Sequence, residues 1–180
     1  QDTLLEPFHF VYTSDRFKLP FVARNIFLRP GLLYRERDYY KTINTFNRLG
    51  AWQNVDVRIT EPADTLPVLN ADVFLYPALK RNLKIDLEAS RSQFFGLGLN
   101  FSLSNRNAFR ESIQTNSNAR FGVEFGSNFI QTLQSNLSHT IYFPKLITPF
   151  GLQPKSDNTI SNERTILNVN SAYTIRRQIY

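Results

Sequence analysis

The sequence predicts a small α+β domain at residues 1–78 and a run of long antiparallel β-strands at residues 79–180. Two observations support this division. In the first half, apolar residues recur at helical spacing between short alternating segments. After Pro77 only alternation of apolar and polar residues remains, over segments of about 10 to 14 residues. Soluble strands most often have about 5 or 6 residues, whereas about 9 to 11 tilted residues span a bilayer core.

The first half shows the order strand, helix, helix, strand, strand. Phe8, Phe10 and Tyr12 alternate as in a short strand, and "LPFVARNIF" then has helical spacing. Within the segment 35–49 apolar residues recur at every third position, at Tyr40, Ile43, Phe46 and Leu49. This predicts a helix with one apolar stripe, and Gly50 is the expected C-terminal stop. The segments "WQNVDVRIT" and "LNADVFLY" alternate as paired strands. Two helices covering these strands would complete a domain near the lower size limit for independent folding.

The second half contains five alternating segments without a helix. Their apolar positions are Leu83, Ile85, Leu87 and Ala89; Leu97, Leu99, Phe101 and Leu103; Ala119, Phe121, Val123 and Phe125; Leu133, Leu137, Ile141 and Phe143; and Leu167, Val169, Tyr173 and Ile175. The opposite positions are rich in Asn, Ser, Thr, Gln, Gly and Arg, which is typical of a water-filled lumen. Aromatic residues cluster near the strand ends, as in interfacial girdles. The pattern favours part of a transmembrane β-barrel, with a soluble β-sandwich as the alternative.

Composition excludes several classes of protein. The chain has no cysteine, so neither a disulfide framework nor a thiolate metal site is available. Residues 1–80 carry 10 basic and 9 acidic side chains, and residues 81–180 carry 11 and 6, giving net charges of +1 and +5. The arginines of the second half are scattered along the strands, which indicates a positively lined surface rather than a nucleic-acid stripe. Five strands cannot close a barrel, so we expect a larger protein.

Candidate catalytic groups are few. His9 and His139 lie far apart in the sequence and give no metal-ligand spacing. Asp86 and Glu88 share a strand face, about 7 Å apart, a separation compatible with paired catalytic carboxylates. Ion pairs with Lys84 and nearby arginines are the favoured alternative.

Two further motifs carry little chemistry. Gly96 and Gly98 lack the third glycine and the helix of a dinucleotide fingerprint, so they indicate close approach of a neighbouring strand. Ser138 and His139 alternate across opposite faces and cannot cooperate. The sequence therefore predicts no enzyme, no cofactor and no metal site.

The stretch "PGLLYRERDYYKTINTFNRLGAWQNVDVRI" resembles the last POTRA (polypeptide-transport-associated) domain of the BamA/TamA superfamily of outer-membrane assembly proteins. The matching residues are Pro30, Gly31, Tyr34, Leu49, Gly50, Trp52 and Val55. The segments "LYPALKRNLKIDLEAS", "GLGLNFSL", "NRNAFRES" and "LSHTIYFPKLITPF" are similar to the start of that family's barrel, most closely to TamL-like members from Bacteroidetes. Glu111 stands where the family usually has glycine.

The resemblance implies a POTRA-like periplasmic domain followed by the first strands of a bacterial outer-membrane barrel. It implies a non-enzymatic assembly or insertion factor whose first barrel strand pairs with strands of unfolded outer-membrane clients. The expected partners are these clients, the bilayer and accessory or periplasmic subunits, without nucleic acid. The predicted pairing edge consists of Leu83, Lys84, Ile85, Asp86, Leu87, Glu88 and Ala89, and a second edge of Val55, Val57 and Ile59. The alternatives are a two-partner-secretion pore and a soluble carbohydrate-binding β-sandwich.

Overall fold

The computed structural model describes residues 2–62, 68–91, 94–126, 129–147 and 164–177. Along the chain the elements are β1 (Asp2–Leu5), β2 (Phe8–Val11), α1 (Leu19–Arg24), α2 (Glu36–Leu49), β3 (Trp52–Thr60), β4 (Asn70–Pro77), β5 (Arg81–Arg91), β6 (Phe95–Ala108), β7 (Ile113–Gly126), β8 (Phe129–Phe143) and β9 (Thr165–Arg176). In the described ranges, no helix has the length and apolar character needed to cross a membrane.

The chain divides into two compact units. The described residues of the first unit are 2–62, 68–80 and 106–113, so this unit includes the turn between β6 and β7. Those of the second unit are 81–91, 94–105, 114–126, 129–147 and 164–177. The domain boundary expected after residue 78 stays a prediction.

Helix α2 follows directly from local chemistry. Glu36 and Asp38 lie in its first turn and Arg48 in its last, which suits the helix dipole at both ends. Gly50 ends the helix with a left-handed φ of 64°, a conformation that glycine adopts without a steric penalty. The helix and its stop therefore agree with the sequence pattern.

The first unit has one apolar core between its helices and strands. The buried members are Phe17, Phe21, Val22, Ile26, Phe46, Leu49 and Ala51, with Phe8, Phe10, Leu28, Trp52, Val55 and Leu75 packed against them. The Trp52 ring stacks on Phe17 at a centroid distance of 3.9 Å and meets the edge of Phe46 at 5.7 Å. The aromatic residues of α2, β3 and the segment before α1 thus form the centre of this unit.

The predicted fold class, a POTRA-like α+β domain of β-α-α-β-β order followed by strands of a transmembrane β-barrel, is wrong. The described chain consists mainly of antiparallel strands, with two helices in the described residues. Strand β2 pairs with β1 in a separate two-stranded sheet, and β3 pairs with β4 in another. The alternation at Phe8 and Phe10 predicts a strand but does not identify its partner, and the adjacent segment Asp2–Leu5 takes that place. The described strands of the second unit form an open sheet and close no barrel.

The turn between β6 and β7 has an unusual backbone. Phe109, Arg110 and Ser112 have positive φ values of 57°, 64° and 55°, a region in which non-glycine residues are strained. Glu111, the residue that stands where the family usually has glycine, is not one of the positive-φ residues. The turn bonds to the segment before α1, since the Lys18 amide donates to the Arg110 carbonyl at 3.1 Å and the Lys18 ammonium pairs with Glu111 at 2.7 Å.

Asn107 connects this turn to the rest of the first unit. Its buried side chain donates from Nδ2 to the Arg16 carbonyl at 2.8 Å and accepts at Oδ1 from the Ser112 amide at 3.0 Å. Arg110 forms an ion pair with Asp15 beside it. These bonds supply the partners that hold three left-handed residues in place.

Replacing Asn107 with alanine should destabilise this turn by about 1–3 kcal/mol, because the Arg16 carbonyl and the Ser112 amide both lose a buried partner. Hydrogen–deuterium exchange of peptides covering 106–113 would show faster exchange in the variant. Asn70→Ala, at an exposed position of β4, is the matched control and should leave that exchange unchanged. Equal exchange in Asn107→Ala and the parent protein would contradict the role given to Asn107.

The second unit is a five-stranded antiparallel sheet in the order β5-β6-β7-β8-β9. Leu83, Ile85, Leu87 and Ala89 of β5 stand opposite Leu103, Phe101, Leu99 and Leu97 of β6. Leu133 and Ile141 of β8 stand opposite Ile175 and Leu167 of β9. The apolar positions of all five strands therefore fall on one face, because side chains alternate along each strand and directly opposed residues share a face.

Candidate functional site

The apolar face of the second unit is open. Leu97, Phe121 and Leu137 retain 44%, 46% and 50% of their surface accessible. Within the described ranges no second layer of protein covers this face. A β-sandwich would bury these side chains against a second sheet, and the described residues form no second sheet over this face. Soluble monomers rarely expose large contiguous apolar patches, so this face is a candidate surface for contact with lipid or protein.

The opposite face carries polar groups, and one of them reaches across a strand. Glu88 of β5 stands opposite Gly98 of β6 and pairs with Arg120 of β7. A Cβ atom added at Gly98 would lie 3.4 Å from both the Cβ and Oε2 atoms of Glu88. The glycine therefore leaves the space through which the Glu88 carboxylate reaches β7. This is the close approach of a neighbouring strand that the Gly96 and Gly98 pattern predicts.

The predicted pairing edge lies on β5, which is an outermost strand of the described sheet. Leu83, Ile85 and Leu87 are exposed on the apolar face, and Leu87 retains 84% of its surface accessible. Lys84 Nζ pairs with Asp86 Oδ2 at 3.0 Å on the polar face. Ala89 stands opposite Leu97 near the end of the strand. Beyond β5 the described residues contain no further strand, so alternate backbone N–H and C=O groups point away from the sheet.

The carboxylates of Asp86 and Glu88 each have a cation as partner, Lys84 and Arg120 respectively. This agrees with the ion-pair interpretation and gives no pair of carboxylates facing a common substrate. Across the described ranges, no three His, Asp or Glu side chains lie close enough to hold a metal ion. That the protein is not an enzyme stays a prediction.

The second predicted edge lies on β3. Val55, Val57 and Ile59 pair with Leu75, Val73 and Ala71 of β4. Val57 is buried and Val55 packs against the core of the first unit, so these side chains contribute to folding. The Val57 carbonyl also accepts a hydrogen bond from the Tyr39 hydroxyl at 3.4 Å. One backbone group of this strand is thus already bound by the neighbouring helix, which makes β3 a poorer docking strand than β5.

The structure brings together one pair of polar residues that the sequence pattern does not predict to be in contact. His139 of β8 stands opposite Ser117 of β7, and its Nδ1 atom lies 2.8 Å from the serine Oγ. Both side chains fall on the otherwise apolar face, beside a shallow depression of about 420 Å³ that Phe101, Leu137 and Val169 also line. Ser138, the sequence neighbour of His139, faces the other side of the sheet, whereas Ser117 on the adjacent strand lies within hydrogen-bond distance of the imidazole. The alternation places His139 among apolar residues, yet only the strand register identifies Ser117.

No protein-family model matches the chain, and no curated protein matches it. Among solved structures, the chain is similar to the crystal structure of BamA from Haemophilus ducreyi lacking POTRA domains 1-3, with a TM-score of 0.43 and 10% identity. The alignment covers 89% of this chain and 34% of that chain, so this chain spans about a third of its length. A TM-score and identity this low do not establish a shared fold.

Proposed function

We propose that this chain is part of a non-enzymatic outer-membrane assembly factor that binds client β-strands at the open edge of β5. The observation that carries the proposal is the combination of an unpaired outer strand with one largely apolar face and one polar face. Membership of the BamA/TamA superfamily, and of its TamL-like branch, belongs to the same proposal. The periplasmic location of the first unit and the binding of accessory subunits are also parts of this proposal.

The exposed apolar face supports a location in a lipid bilayer. Exposure of Leu97, Phe121 and Leu137 to water would cost free energy in proportion to their apolar area, whereas acyl chains remove that cost. The paired charges Glu88 and Arg120 lie on the other face, where water or protein can solvate them. The strands β5 to β9 have 11 to 15 residues, which is long enough to cross a bilayer core of about 30 Å with tilt.

In a bilayer, pairing of the open edge of β5 with another strand is strongly favourable. Water is absent from the hydrocarbon core, so each unpaired N–H or C=O group there costs several kcal/mol. An added strand satisfies these groups through its backbone alone, which gives affinity without a fixed side-chain sequence. A shift of one residue would turn Asp86 and Glu88 toward lipid, so alternation sets the register of the pairing.

Site-specific photo-crosslinking tests the proposal. A photoreactive residue at Ile85, on the edge strand, should crosslink to a radiolabelled outer-membrane client during its insertion into vesicles that contain the full chain. The same residue at Leu137 is the matched control, because Leu137 lies on the same face but on the inner strand β8. We expect at least a fivefold higher crosslinking yield at Ile85, since one net backbone hydrogen bond of about 1 kcal/mol corresponds to that ratio.

Two outcomes would contradict edge pairing. Equal yields at Ile85 and Leu137 would indicate collision of the client with the apolar face rather than binding at the edge. A photoreactive residue at Asn118, on the polar face of β7, distinguishes a secretion pore from an assembly factor that binds clients at the β5 edge. Crosslinks to an unfolded client there, without crosslinks at Ile85, would favour translocation along the polar face.

A further inference from the structure

The loop between α1 and α2 presents apolar side chains to solvent. Pro30 and Gly31 turn the chain after the first helix, with a positive φ of 76° at Gly31 and a hydrogen bond from the Leu32 amide to the Arg29 carbonyl at 3.3 Å. Leu32 and Leu33, at the tip of this turn, retain 73% and 84% of their surface accessible, and Tyr34 next to them is also exposed. The turn thus holds two leucines and a tyrosine away from the core of the first unit.

Basic residues flank these apolar side chains on both sides. Arg29 precedes the turn, and Arg35 and Arg37 follow it, all of them exposed. Glu36 is the acidic residue of the segment 29–37, so its net charge is +2. The Arg29 guanidinium lies 5.4 Å from the ring centroid of Phe8 in β2, a cation–π contact. We call the residues 29–37, which comprise part of this loop and the first two residues of α2, the arginine-flanked loop.

We propose that the arginine-flanked loop inserts into the headgroup region of an anionic phospholipid bilayer. Leucine and tyrosine side chains are suited to the boundary between headgroups and acyl chains, and arginines bind lipid phosphates through two parallel N–H groups. A specific protein partner is less well suited, since a stable interface needs about 800 Å² on each side and this apolar tip has three side chains. The inference goes beyond client binding at β5 and concerns the first unit alone.

The β1–β2 hairpin offers a matched comparison. Leu4 is 70% accessible, close to the value for Leu32, and it also belongs to the first unit. Its neighbours Asp2 and Glu6 are acidic. An anionic surface should therefore attract the arginine-flanked loop and repel the hairpin, although both carry leucines with at least 70% of their surface accessible.

Fluorescence quenching in vesicles tests this inference. The chain has no cysteine, so single substitutions Leu33→Cys and Leu4→Cys can each carry an environment-sensitive fluorophore. The full chain is reconstituted into phosphatidylcholine alone or mixed with phosphatidylglycerol, with spin-labelled lipid as quencher. We expect quenching and a blue shift at position 33 in anionic vesicles, and neither at position 4. Adding Arg35→Gln or Arg37→Gln should lower the partition coefficient of the loop about fivefold for each arginine removed.

A probe at Leu97→Cys, on the apolar face of the second unit, separates this inference from the proposed membrane location. Quenching at position 97 without quenching at position 33 would overturn lipid insertion of the loop and leave the proposed location intact. Absence of quenching at both positions would overturn both. Equal quenching at positions 33 and 4, or quenching at 33 that is independent of phosphatidylglycerol, would also overturn the role given to the arginines.

Discussion

Replacing Leu137 with arginine should lower the free energy of unfolding of the second unit by about 2–4 kcal/mol in phospholipid vesicles. Leu137 lies near the middle of β8, between Ala119 of β7 and Ser171 of β9, so its side chain would stand close to the bilayer centre. A guanidinium there loses its hydration and has no acidic residue directly opposite it. Urea titration of the reconstituted chain, followed by the far-ultraviolet circular dichroism of the strands, measures the change.

Ser138→Arg is the matched control for this substitution. Ser138 is the next residue of β8, faces the opposite side of the sheet and stands opposite Asn118 and Asn170. Since water or polar groups can solvate an arginine on that face, we expect a change below about 1 kcal/mol. Equal destabilisation by the two substitutions would mean that both faces have similar surroundings, and the proposed membrane location would then be wrong.

Replacing Phe46 with alanine should destabilise the first unit by about 3–5 kcal/mol. Phe46 is fully buried among the aromatic residues of the core, so its loss removes apolar burial and leaves a cavity. Trp52 is the single tryptophan of the chain and meets the Phe46 ring, which makes its fluorescence a specific probe of this unit. The unfolding midpoint in urea, read from that fluorescence in the full chain, should fall clearly.

Tyr40→Ala serves as the control for Phe46→Ala. Tyr40 is an aromatic residue of the same helix, but it is exposed and its ring contact is with the adjacent Tyr39. Its removal should cost less than about 1 kcal/mol. A comparable shift of the Trp52 unfolding midpoint in both variants would show that helix formation, rather than packing around Phe46, limits the stability of this unit.

Individual elements were the most predictable part of this structure. Helix α2 shows a 3.6-residue apolar period and ends at a glycine, two local signals that tertiary contacts do not need to supply. The five strands of the second unit alternate over many residues, so their existence and the face of each side chain follow from the sequence. Leu83 to Ala89 lie in β5 with the alternation that the sequence predicts, and their role in pairing with clients stays a prediction.

Pairing between elements was less predictable, because alternation specifies faces and not partners. Alternation at Phe8 and Phe10 predicts a strand without naming its partner, and in the structure this strand pairs with β1. The contact between Ser117 and His139 depends on the register of β7 and β8, which residue spacing alone does not determine. The left-handed residues around Arg110 could not be predicted either, since side-chain bonds from Asn107 and Asp15 stabilise a backbone that local propensity disfavours.

The ion pair between Glu88 and Arg120 has a consequence for mutational studies of the β5 edge. Arg120 belongs to a strand two positions inward, and its ion pair with Glu88 crosses β6 beside Gly98, where a Cβ atom would stand 3.4 Å from the Glu88 carboxylate. Alanine scans confined to β5 would therefore remove Glu88 but leave out Gly98 and Arg120, the two residues on neighbouring strands that complete this contact. Substitutions of Glu88 on the edge strand are expected to be accompanied by compensating substitutions of Gly98 or Arg120 on the inner strands.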